Sequence, residues 1–97
     1  MSMNFDLLNI ETPADKCAQI AQRLKLRRKE LGLTQEVLAR KSGVSLGSLR
    51  RFEQTGEISL HSLARLALVI DCGTDLDQLF AVKRYRSIQE VIDENAH

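Results

Sequence analysis

The stretch QEVLARKSGVSLGSLRRFEQ, residues 35–54, decides how this 97-residue chain is read. Thr34 stands before it as a helix N-cap, and the helical run Gln35–Lys41 stops at Ser42-Gly43. Two residues on, Ser45 caps a second run that reaches about Gln54, where Thr55-Gly56 breaks it. Ala39 is small where two helices must approach closely, and Gly43 sits where a turn needs left-handed backbone. Val44, Leu49 and Phe52 supply the apolar contacts that fix the angle between the two helices. The spacing predicts two short helices joined by a tight turn.

Upstream, Thr12-Pro13-Ala14-Asp15 writes a helix start: a capping hydroxyl, Pro at the first position and an acid in the first turn. The stripe Cys17, Ile20, Ala21, Leu24, Leu31 is expected to face inward, with Gly32 ending the helix. Arg28 falls on that same face, where an unpaired guanidinium is expensive, so it needs a carboxylate. Downstream, Ser59 caps a fourth helix with the stripe Leu60, Leu63, Leu66, Ala67 and Ile70, closed at Cys72-Gly73. Thr74 is expected to open a fifth helix, Asp75–Phe80, with Leu76, Leu79 and Phe80 inward. Ser87-Ile88-Gln89-Glu90 reads as a capping box for a short extra helix in the tail. The expected organisation is a loose arm over 1–11, one domain over 12–81 and a tail over 82–97 for dimer or partner contact. One Pro, few aromatics and only five glycines favour an all-α class.

The net charge of +1 conceals an asymmetry. Residues 16–51 carry a balance of +8, against −3 before them and −4 after them. One basic half suits a polyanion-binding face; a set of solvated helix faces is the plainer alternative. Cys17 and Cys72 lack metal-ligand spacing, and His61 and His97 do not complete a site, so no metal or cofactor is expected. Both thiols are expected to be buried in a reducing compartment. No acid–base pair, nucleophile triad or Gly-rich phosphate loop argues for an enzyme. With no signal peptide and no long apolar run, the chain is expected to be cytoplasmic and not in a membrane.

From Leu24 to Ile70 the chain resembles the prokaryotic XRE family, which includes the lambda and Cro repressors. The residues that carry the likeness are Arg28–Gln35 (the pattern R-x-x-L-G-L-T-Q), then Ala39, Gly43, Val44, Ser45, Leu49, Phe52 and Glu53. The resemblance implies a lambda repressor-like five-helix bundle with a helix-turn-helix, binding double-stranded DNA at a palindromic operator as a homodimer. It also implies that Arg28 and Glu53 form an internal ion pair that positions the recognition helix. More narrowly, residues 56–67 and 85–92 resemble HipB-like antitoxins, which bind their own promoter and hold a HipA-like kinase toxin.

Projected at 100° per residue, the helix after Ser45 turns Leu49 and Phe52 inward and centres its outer face on Gly47 and Arg50, with Arg51 and Leu46 at the edges. A major groove about 12 Å wide admits one such helix. Ser45, Leu46, Gly47, Arg50 and Arg51 are therefore the expected groove contacts, the arginines to guanine edges or phosphates and Leu46 to a thymine methyl. Leu46 and Gly47 stand where relatives often carry polar readers such as Gln, which shifts weight to the arginines and to DNA shape. Thr34, Gln35, Gln54 and Ser59 are the expected phosphate contacts at helix ends. His61 reads more readily as a surface residue at a helix start, and Lys25, Arg27 and Lys29 as a solvated face. Leu76, Leu79, Phe80, Val82 and Tyr85 are best placed for a symmetric dimer contact, while Ile88, Val91 and Ile92 could pack on their own domain, a dimer mate or another partner.

Overall fold

The computed structural model describes residues 10–83, and all its regular elements are helices. They are α1 (Pro13–Glu30), α2 (Gln35–Ser42), α3 (Leu46–Thr55), α4 (Leu60–Val69) and α5 (Gly73–Asp77). Four begin at a hydroxyl that accepts a backbone N–H three residues on: Thr12, Thr34, Ser45 and Ser59. At Thr12 the exchange is reciprocal, since Asp15 Oδ2 accepts from the Thr12 backbone N–H at 3.0 Å. Such caps satisfy donors that a helix start would otherwise leave bare, at a typical gain of about 1 kcal/mol each. No helix among the described residues is long and apolar enough to cross a membrane.

The core lies where α1, α2, α3 and α4 converge. Phe52, Leu38, Leu49 and Leu66 are its largest fully buried side chains, joined by Ala21, Leu24, Ala39, Val44 and Ile70. Helix α3 packs on both α1 and α2, and α2 packs on α4, so the turn between α2 and α3 is held from both sides. Gly43 makes that turn at φ +75°, its N–H donating to Ala39 O at 3.0 Å. Gly56 ends α3 at φ +83° and lies against α1: a Cβ there would sit 2.8 Å from the Cys17 carbonyl carbon. Left-handed backbone and this close approach together require glycine.

Three expectations about packing need correction. Cys17 is exposed and Cys72 only half-buried, Ile20 and Leu31 are partly open, and Leu60, expected on the inward stripe of α4, is largely open. The core begins at Ala21, and every residue from Glu11 to Ile20 is exposed, so among the described residues the first turns of α1 run past the core and bury none of their stripe. Helix α5 starts at Gly73 without a side-chain cap, and Thr74 does not cap it. The cause lies upstream, where Asp71 takes left-handed backbone (φ 61°) and Cys72 N–H donates to Ala67 O at 2.8 Å. The chain re-enters a helix at once and ends it at Asp77. Leu79 and Phe80 therefore fall outside the helix and are exposed, Phe80 at 94%. The tail calls beyond Lys83, the capping box at 87–90 and Tyr85, lie outside the described residues, as does the arm before Ile10.

Candidate nucleic-acid interface

The inner face of α3 ends in a charge. Glu53 takes two hydrogen bonds from Arg28, Nε to Oε2 at 2.8 Å and Nη2 to Oε1 at 2.9 Å. Arg28 Nη1 donates to Leu33 O at 2.8 Å, and Gln35 Nε2 donates to Glu53 Oε1 at 2.9 Å. Both charged side chains are over nine-tenths buried. Burial pushes the Glu53 carboxyl pKa up, but the bonds from Arg28 and Gln35 and the charges of Arg28 and Lys25 outweigh it and hold it below the ordinary 4.5. The pair ties α1 to α3, and Gln35 brings in the start of α2.

The outer face of α3 is open. Gly47 is exposed, and a Cβ on it would meet nothing within 4 Å, so backbone can approach a ligand closely there. Arg50 is exposed beside it and donates to Gln35 Oε1 and to Glu36 Oε2, each at 3.4 Å. Arg51 Nε donates to Glu57 Oε1 at 3.1 Å, and its Nη2 donates to the same oxygen. Glu57 pushes the Arg51 guanidinium pKa further up. A turn holds that acid in place: Thr55 Oγ1 donates to Arg51 O at 2.7 Å and accepts from Glu57 N–H at 3.1 Å.

The remaining expected contacts gather around this face with differing freedom. Ser45 is exposed at the start of α3, where its hydroxyl accepts from Ser48 N–H and donates to Ser48 Oγ at 2.8 Å. Thr34 and Ser59 are exposed caps of α2 and α4, and Gln54 and His61 are exposed nearby in sequence. Ser48, Arg51, Glu57, Ser59 and Ser62 line one open cleft of about 360 Å³. Two expected contacts are less available. Leu46 is half-buried against the core, and the Gln35 amide bridges Glu53 and Arg50. Of the solvated set, Lys29 is exposed and Lys25 and Arg27 are half-exposed.

Glu36, Ser48 and Glu57 are the residues that sequence reading did not single out. Glu57 had a legible signal, because a Gly in left-handed conformation after a helix turns the next residue back along the last turn. Among the described residues, no three His, Cys, Asp or Glu side chains gather as metal ligands. The outer face of α3 thus offers two arginines, a bare glycine backbone and flanking hydroxyls, all suited to a polyanion.

Residues 24–76, from the second half of α1 through most of α5, match the family model described as helix-turn-helix, of the XRE type. No curated protein matches the chain.

Proposed function

The chain belongs to the XRE-type helix-turn-helix family of DNA-binding transcription regulators, and on that premise we propose that it is a dimeric cytoplasmic repressor reading a palindromic operator with α3. The observation that carries this reading is the pairing of an anchored inner face with an open outer one. Arg28 and Glu53 fix the helix, while Gly47, Arg50 and Arg51 stand free of the core. Arg50 and Arg51 take guanine edges or phosphates, and Gly47 lets the backbone come close to the bases. Ser45 contacts a base or phosphate, and Leu46 touches a thymine methyl with whatever edge the core leaves it. Thr34, Gln54 and Ser59 position phosphates, and Gln35 joins them through its free backbone N–H.

One helix reads few base pairs, so specificity calls for two half-sites about 34 Å apart and hence two copies. Phe80 and Val82, exposed at 94% and 66%, form the apolar surface we assign to that contact. A titration of the protein on DNA from upstream of its own gene, across a salt series, tests the reading. The affinity falls steeply with salt, and sedimentation shows a dimer. A salt-independent affinity, or a monomer at every concentration, contradicts it.

The likeness of residues 56–67 and 85–92 to HipB-like antitoxins supports a second reading, in which the same DNA-binding chain also holds a HipA-like kinase toxin. A kinase-like gene directly downstream favours it, and capture of that kinase by the full chain but not by one lacking residues 82–97 tests it.

A further inference from the structure

An open groove of about 370 Å³ lies between α1, α4 and α5, on residues that the proposed DNA-reading set does not use. Its lining includes Ile20, Leu63, Ala67, Ile70, Leu76 and Leu79, and Arg23 and Arg27 stand among them. We propose that the groove is the seat of this chain's own C-terminal segment, residues 87–94, docked within the same molecule as a short amphipathic helix.

Three observations single out that occupant. First, the pattern fits: Ile88, Val91 and Ile92 stand at i, i+3 and i+4, so a helix capped by Ser87 and Glu90 gathers them on one side. Second, the charge fits: residues 87–94 carry Glu90, Asp93 and Glu94 and no base, against a groove lined by Arg23, Arg27 and a single acid, Asp75, with Arg27 also 3.5 Å from Glu30. On such a helix Glu94 falls about 110° round from the apolar stripe, nearer to it than Glu90 or Asp93. Third, the chain leaves from the groove itself, since Leu79 lines it and Ile88 follows nine residues later. The five steps from Lys83 to Ile88 span up to about 17 Å when extended, enough to turn back. A tether that short gives an effective concentration on the order of millimolar, which favours the chain's own segment over a second copy's. Docking covers Leu79 and Ile20, which are otherwise open at 51% and 37%.

Cys72 also lines the groove and provides a built-in probe. In a Cys17→Ser background it is the sole cysteine, and Ile88→Cys, Val91→Cys, Ile92→Cys and the outward-facing Asp93→Cys are added singly. Diamide, which takes up two electrons and two protons from each thiol pair, then closes any disulfide within reach. At least one of the three stripe positions forms an intramolecular disulfide about ten-fold faster than Asp93→Cys, as expected for a tethered pair held in contact. Equal rates at all four positions overturn the proposal. So does a disulfide between two chains whose rate grows with protein concentration, which would assign the groove to a second copy. None of these outcomes depends on DNA, so the proposal can fail while the regulator reading stands.

Discussion

Helix α3 holds two arginine–glutamate arrangements that share their chemistry and differ in surroundings. At its inner face, Glu53 meets Arg28 across the bundle, with 3% and 8% of the side chains exposed. At its outer face, Arg51 meets Glu57 with 68% and 64% exposed. The inner pair has no water to fall back on, so either partner left alone is a buried charge. The outer pair trades a carboxylate for water at almost no cost, and by the same logic for a phosphate. One pair ties the helix to the bundle, and the other leaves an exposed arginine that, on the proposed reading, exchanges its carboxylate for a phosphate.

The largest effect that separates them is stability. Glu53→Ala leaves the Arg28 guanidinium buried and should cost about 3–5 kcal/mol, a large share of what a small domain has. Thermal melting followed by circular dichroism reads this directly; an unchanged Tm would erase the distinction between the pairs. Gly56→Ala comes next, because left-handed backbone alone costs about 1–2 kcal/mol in an L-residue and the new methyl meets the α1 backbone. It should lower Tm clearly while leaving both arginine pairs in place.

Acid sharpens the contrast. The Glu53 carboxyl pKa is depressed in the folded state, so its contribution is present above the ordinary 4.5 and is lost as pH falls through the lower folded value. Stability should therefore drop below about pH 4.5, and Glu53→Gln should flatten that part of the Tm–pH curve. Glu57→Gln is the smallest change for the fold, with Tm unaltered. For DNA it should act the other way, raising affinity several-fold at low salt by freeing Arg51 and removing an acid beside the phosphates.

Much of α1 to α4 was legible, because capping hydroxyls and left-handed glycines are local signals. Thr12, Thr34, Ser45 and Ser59 mark helix starts in sequence and in space. The need of Arg28 for a carboxylate could be read from its place on an apolar stripe. What failed depended on where the core ends. Cys17 and Ile20 obey the helical period, yet α1 outruns its partners there. Thr74 looks like a cap, but left-handed Asp71 had already reset the chain. At the site, the exposure of Arg50 and Arg51 was readable from the projection of α3, whereas Glu36 reaches Arg50 from another helix that periodicity does not connect, and Glu57 was signalled only by the glycine before it. The engagement of Gln35 with Glu53 was hidden for the same reason.

The central claim is that the outer face of α3 reads DNA through its arginines while the inner pair merely holds the helix. The most direct measurement is fluorescence anisotropy of the Arg50→Ala/Arg51→Ala double variant on the upstream DNA and on a scrambled duplex, with Tm recorded alongside. The account predicts an unchanged Tm, a loss of upstream-DNA affinity of roughly ten-fold or more, and a shallower salt dependence. Wild-type affinity with the same salt slope and a preserved preference for the upstream sequence would contradict it.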